Sequence, residues 1–134
     1  SLSNKIPIVA AILLNSVLFS MLHLANDGIT ALAFINLILY GFFISVYVIR
    51  TNSLWGACAI HSVWNFVQGN FYGIFVSGMD TKTSVFRFTP VDNGELFNGG
   101  DFGLEGGLAV TFVLILSTAL TLLLTGNKKS EENT

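Results

Sequence analysis

Residues 6–49 read IPIVAAILLNSVLFSMLHLANDGITALAFINLILYGFFISVYVI, two apolar runs, 6–24 and 29–49, interrupted only by Ala25-Asn26-Asp27-Gly28. Each run is close to the roughly 20 residues of helix that cross a bilayer. The Asn, Asp and Gly between them are turn formers, and so short a link folds the chain back as an antiparallel helical hairpin. Two further apolar stretches follow at 54–77 and 104–125. Arg50-Thr51-Asn52-Ser53 joins the second run to the third as tightly as the first turn, whereas 78–103 is longer, polar and rich in Gly, Asp and Asn. That connection predicts an extramembrane loop. The expected fold class is therefore all-α: a polytopic membrane helical bundle of about four transmembrane helices (6–24, 29–49, 54–77, 104–125), with 127–134 as a short, charged, frayed tail.

Composition agrees. Hydrophobic residues make up 52% of the 134 and charged residues only 10%, with a mean hydropathy of +0.69, whereas a soluble domain carries about 25% charged residues. A net charge of −2 gives no footing for nucleic acid. One cysteine, Cys58, excludes an intrachain disulfide; one turn before His61 on a predicted helix, it reads as a small core thiol. Residues 6–24 follow Lys5 as a secretory signal would, but no small-residue cleavage pattern comes after them and further spans follow. The chain begins with Ser1 rather than Met, which is the expectation for a piece of a longer protein.

Lys5, Arg50, Lys128 and Lys129 fall on one side of the predicted bundle, Lys82 and Arg87 on the other amid Asp80, Asp92, Glu95 and Asp101. The positive-inside rule puts both chain ends in the cytoplasm of a multi-pass cell-membrane protein, and 78–103 outside.

Two histidines lie within the predicted spans, each with a companion one turn away: Phe19-Ser-Met-Leu-His23 and His61-Ser-Val-Trp-Asn65. Imidazole is costly to hide in hydrocarbon, so an intramembrane His faces a bundle interior or a watery cavity. Residues four apart share a helix face, so Phe19 lies beneath His23, while His61 and Asn65 point one way. An imidazole beside an amide that donates two N–H bonds is suited to a developing oxyanion. It suits a metal-bound water or a neighbouring helix equally well. A zinc site needs three protein ligands; His23 and His61 supply two, Asn65 is a weak third, and no carboxylate inside a span completes the set. A nucleophilic Ser16, Ser20 or Ser62 lacks the Gly-x-Ser-x-Gly turn that would expose it. A transporter would show broken spans, and Pro7 and Pro90 break none. Straight spans, at about 1.5 Å per residue, leave His23 and His61 roughly 15 Å apart along the bilayer normal, so a shared site requires a dipping turn or a displaced helix.

Phe19…His23 followed by His61…Asn65, with Arg50-Thr-Asn-Ser-Leu-Trp55 leading into the second motif, resembles the CPBP family of intramembrane proteases, which includes type II CAAX prenyl endopeptidases and bacterial Abi or bacteriocin-immunity proteins. Val76-Ser-Gly78 and the glycine-rich 99–107 are similar to stretches in some bacterial members. The resemblance implies that residues 1–126 are the C-terminal part of such a protease domain, acting on a peptide or membrane-protein substrate in the lipid bilayer. It implies His23, His61 and Asn65 as catalytic residues, His23 handling the water and His61 with Asn65 the oxyanion, and Phe19 and Trp64 as pocket lining. It implies no cofactor if a glutamate activates the water; the alternative is zinc on His23 and His61. The family's Glu-Glu-x-x-x-Arg motif, source of that glutamate, is absent: Glu95, Glu105, Glu131 and Glu132 occupy no matching position. The 134 residues alone are then expected to be inactive, and the competing class is an immunity or scaffold protein that binds a partner peptide in the same cavity.

Overall fold

The computed structural model describes residues 7–131 apart from 90 and 92, with side chains as far as residue 126. Lys5, Pro90, Asp92 and the side chains of Lys128 and Lys129, which entered the readings of orientation and breaks, lie outside the described residues. The fold is all-helical, with no strand among the described residues and one isolated bridge between Val76 and Met79. Helices α1 (Ile8–Met21), α2 (Ala31–Thr51), α3 (Leu54–Asn65), the four-residue α4 (Glu95–Asn98) and α5 (Leu108–Glu131) follow in order, and a π-helical turn, Phe66–Phe71, extends α3.

Helix α2 is the spine. Thr30 caps its start by accepting from the Ala33 N–H, and Asn52 in the left-handed conformation ends it. Helix α1 runs antiparallel to α2: Asn15 Nδ2 donates to Ser45 Oγ at 3.0 Å, and Phe19 packs near Tyr40. Gly41 permits this approach, because a Cβ there would stand 2.8 Å from Ser16 Cα; small residues at such crossings are how membrane helices come close. Helix α3 is also antiparallel to α2, with Tyr47 against Gly56 and Tyr40 against His61. Helix α5 is parallel: Asn36 meets Thr111, Phe43 packs with Val110 and Leu114, and Arg50 reaches the Leu122 carbonyl.

Two helices, Ala31–Thr51 and the Leu108–Gly126 part of α5, are long and apolar enough to cross a membrane, each with a mean hydropathy of 2.3. The other two expected spans are shorter than the sequence predicts. Helix α1 has 14 residues, about 21 Å, because the chain turns from Leu22 through Gly28, with Ser20 bonding back to the Val17 carbonyl. Helix α3 stops at Asn65, and its π-helical extension ends before Gly73, which is left-handed; residues 74–77 are not helical. The fourth run enters its helix at Leu108 rather than 104, after two 3₁₀ turns, and the helix continues into the expected tail as far as Glu131.

Residues 78–103 are not merely a solvated loop. Phe102 is fully buried against Ala33 and Leu37, with Phe19 and Ile29 packed alongside. Gly103 makes the return possible: its φ is +90°, and a Cβ would collide with the Phe75 carbonyl. Cys58 is exposed rather than a core thiol; Ala57 is the buried residue of α3, and the next position is rotated off that face.

Candidate active site

The last turn of α1 carries Phe19, and His23 lies just beyond it, folded back so that its Nδ1–H donates to the Phe19 carbonyl at 2.9 Å. A carbonyl only accepts, so in the neutral imidazole Nε2 keeps a free lone pair. The Phe19 ring stands between the two histidines, its centroid 4.8 Å from His23 and 6.2 Å from His61. The axial offset expected of straight spans is thereby reduced: α1 is short, and the imidazole after it turns back over its own last turn.

His61 is held at both ring nitrogens. Asn65 Nδ2 donates to Nε2 at 3.3 Å, and Nδ1 lies 3.1 Å from the Tyr40 hydroxyl. An imidazole that accepts at Nε2 carries its proton on Nδ1, so it donates to the Tyr40 oxygen, and the Tyr40 proton is free to turn elsewhere. Reversing the amide would place an NH₂ group where the buried Asn65 Oδ1 now has no hydrogen-bond partner, leaving two unsatisfied donors in place of one acceptor, so the order Asn65 to His61 to Tyr40 is favoured.

These groups border a cavity of about 430 Å³ enclosed by the end of α1, the middle of α2, α3, Ser77 and the start of α5. Phe19, His23, Tyr40, His61 and Trp64 line it; Asn65 does not, and supports His61 from behind. The lining is otherwise largely apolar (Leu37, Phe43, Ile60, Val110, Leu114), which suits a hydrophobic segment with a few polar groups to orient it. Of the sequence-derived site residues, four of the five border this cavity: His23, His61, Phe19 and Trp64.

Sequence reasoning missed Tyr40, Asn36, Ser77 and Glu105, all of which line the cavity. Asn36 and Tyr40 carried a signal, polar groups four apart within an apolar run. Glu105 carried another, as an acid at the edge of the fourth apolar stretch. Its carboxylate accepts from Trp64 Nε1 at 3.0 Å and from Ser77 Oγ, and its backbone carbonyl accepts from Asn36 Nδ2 at 2.8 Å. Asn36, 1% exposed, also bonds the Gly107 carbonyl and accepts from Thr111, which fixes the entry into α5.

Zinc does not fit these residues well. Among the described residues, no three His, Cys, Asp or Glu side chains are gathered closely enough to hold a metal ion, so His23 and His61 lack the third ligand that a catalytic zinc requires.

Nothing among curated proteins or among solved structures matches the chain. A family model does: "Type II CAAX prenyl endopeptidase Rce1-like" matches residues 1–67, half of the chain, a stretch that contains both Phe19…His23 and His61…Asn65. With this match and its apolar helices, the chain is a membrane protein that belongs to the Rce1-like family of type II CAAX prenyl endopeptidases.

Proposed function

We propose that the cavity is the active site of a membrane endopeptidase that hydrolyses a peptide bond within or at the bilayer, with a prenylated peptide as the substrate class suggested by the family. The observation that carries this reading is the meeting of both histidines and the Tyr40 hydroxyl in one largely apolar cavity, in a chain of a protease family. His23, with Nε2 free, orients the attacking water. His61, held by Asn65, orients the Tyr40 hydroxyl so that its O–H is free to donate into the cavity and stabilise the oxyanion of the tetrahedral intermediate. Such a donor contributes about 3–4 kcal/mol to the transition state. The water also needs a carboxylate to take its proton; the Glu-Glu-x-x-x-Arg motif that provides one in the resemblance is not among these residues.

In the membrane we read four crossings, with α2 and α5 as the full spans and α1 and α3 with its π turn as the shorter ones. Support comes from apolar side chains turned outward along α1, such as Ile8, Val9, Leu13 and Leu18, and from Val63 and Phe66 on the third element. The helix directions are compatible with both ends on the Arg50 side, the cytoplasmic side by charge. A second reading is a scaffold or immunity protein that binds a peptide in the same largely apolar cavity without cutting it.

The test is cleavage of a farnesylated, internally quenched peptide ending in a CAAX sequence by the protein in liposomes. Joined to a helix that carries the Glu-Glu-x-x-x-Arg motif, wild type is expected to cleave, His61→Ala not to, and a chelator to have little effect. Binding without cleavage supports the scaffold. Full inhibition by chelator, reversed by Zn²⁺, would make the histidines metal ligands.

A further inference from the structure

We infer that residues 69–88 form a membrane-interface anchor, a fold-back that seats its aromatic rings at the boundary between acyl chains and lipid headgroups; the inference rests on the reading of α3 with its π turn as a crossing. A helix leaves its final C=O groups without partners of its own, and in water the solvent satisfies them. Here the chain that follows returns to do so. Gly69 accepts from Thr81 Oγ1 at 2.7 Å, Asn70 from the Val85 N–H at 2.9 Å, Phe71 from the Phe86 N–H at 2.8 Å and Tyr72 from the Phe88 N–H at 3.1 Å. Asn70 Nδ2 also donates to the Thr83 carbonyl at 3.3 Å. Gly73 permits the approach, since its φ is +66° and a Cβ would collide with the Phe86 carbonyl. A backbone satisfied from within in this way is what lipid demands of any segment that touches it.

Apolar rings cover this closed backbone. Phe86 stands edge-on to Phe71 with centroids 5.3 Å apart, Phe88 to Tyr72 at 5.4 Å, and Phe71 and Tyr72 meet at 5.0 Å. Phe86 and Phe88 nevertheless keep more than half of their surface exposed, an area that water penalises. The patch continues the exposed row of Val63, Phe66 and Val67 on the same element, so the surface offered to acyl chains along the crossing runs on into it. Arg87, between the two rings, reaches Asp80 at 3.3 Å, and Lys82 is exposed; charges at the edge of an apolar patch suit headgroups. The other end of the element mirrors this one. Trp55 is exposed at the start of α3, and at about 1.5 Å per residue the helix and its π turn set roughly 25 Å between Trp55 and Tyr72, close to the hydrocarbon thickness of about 30 Å. Aromatic rings at both ends of a crossing are how membrane proteins fix their depth.

A bilayer fits this surface better than a second protein does. Protein partners are held by hydrogen bonds across the interface as well as by apolar area, and the backbone acceptors at 69–72 are already used by 81–88. What the patch offers is apolar area, which lipid takes without geometric demand. Ser77 belongs to the same fold-back and lines the cavity, its carbonyl held by Asn26 Nδ2 at 2.8 Å. The anchor therefore holds that wall of the cavity at a set depth, and 78–88, the first part of the connection expected to be extramembrane, lies at the interface.

The test reads depth with a nitroxide spin label on the protein in phosphatidylcholine liposomes, where oxygen partitions into lipid and a nickel chelate stays in water. In a Cys58→Ala background, Phe86→Cys and Phe88→Cys are labelled separately, so that each leaves the other ring pair in place. Phe66→Cys reports the crossing and Lys82→Cys the charged edge. The labels at 86 and 88 are expected to relax faster with oxygen than with the chelate, the label at 66 to show a larger oxygen preference, and the label at 82 to show the reverse. A chelate preference at 86 and 88 beside an oxygen preference at 66 puts the fold-back in water and overturns the anchor while the crossing stands. Exclusion of both reagents at 86 and 88 overturns it too, because protein then covers the patch. A chelate preference at 66 as well removes the crossing and the anchor together.

Discussion

The α1–α2 hairpin and the connection between Tyr72 and Gly107 border the same cavity by opposite means. The hairpin is held by close approach: Ser16 against Gly41, both serines of α1 buried, and aromatic rings of both helices in contact. The connection is held by hydrogen bonds and glycine turns, with Asn26 on the Ser77 carbonyl, Asn36 on the Glu105 carbonyl and Gly103 in a conformation closed to other residues. Packing places the imidazole of His23; polar bonds place the carboxylate of Glu105. A membrane protein can therefore position charge with a segment that is not itself a transmembrane helix, provided its backbone groups are satisfied against the helices.

If the hairpin carries chemistry as well as packing, His23→Ala should reduce cleavage by roughly 100- to 10,000-fold through loss of water orientation, measured as kcat in liposomes. Near-normal turnover would reduce the hairpin to scaffolding. For the connection, Phe102→Ala should cost about 3–5 kcal/mol of stability, the usual range for a buried Phe, read as a lower unfolding midpoint in detergent. A stability close to wild type would mean that the connection is not anchored by its buried ring.

The relay on α2 and α3 joins the two regions. Tyr40→Phe and Asn65→Ala are each expected to lower kcat by roughly 100- to 1000-fold with KM nearly constant, and the double variant to be little worse than either, because groups acting in series are not additive. Additive losses would separate the two residues. Gly41→Ala, which sets a Cβ against the Ser16 backbone, should destabilise by about 1–3 kcal/mol without a selective fall in kcat. Smallest of all, Cys58→Ala should leave activity near wild type, since the thiol is exposed and does not border the cavity.

The helical class, the turn at 25–28 and the residues Phe19, His23, His61 and Asn65 were legible because each depends on local signals: apolar runs, turn formers and four-residue spacing. Length was less legible. The 54–77 stretch is apolar enough to continue as a helix, yet α3 gives way to a π turn and then to Gly73, a departure decided by the contacts of 74–79 with the rest of the molecule. Glu105 was set aside because its place in the sequence matches no motif, and only the bonds from Trp64, Ser77 and Asn36, 41, 28 and 69 residues away, bring it to the cavity. Tyr40 shares a helix face with Asn36, but its position in the sequence does not tie it to His61; that follows from the tautomer that Asn65 imposes on His61.

The central claim is that the peptide sits in the cavity between these regions, and the chain's two tryptophans make it directly measurable. Trp64 lines the cavity, while Trp55 is 89% exposed at the start of α3. In a His61→Ala background that leaves the peptide whole, Trp55→Phe retains only Trp64 and Trp64→Phe only Trp55. Titration with a farnesylated CAAX peptide bearing a quencher beside its scissile bond should quench Trp64 saturably, at concentrations near the wild-type KM, and should quench Trp55 far less. Equal quenching of both, or an unquenched Trp64 at concentrations where wild type cleaves, would place the substrate elsewhere and contradict the account.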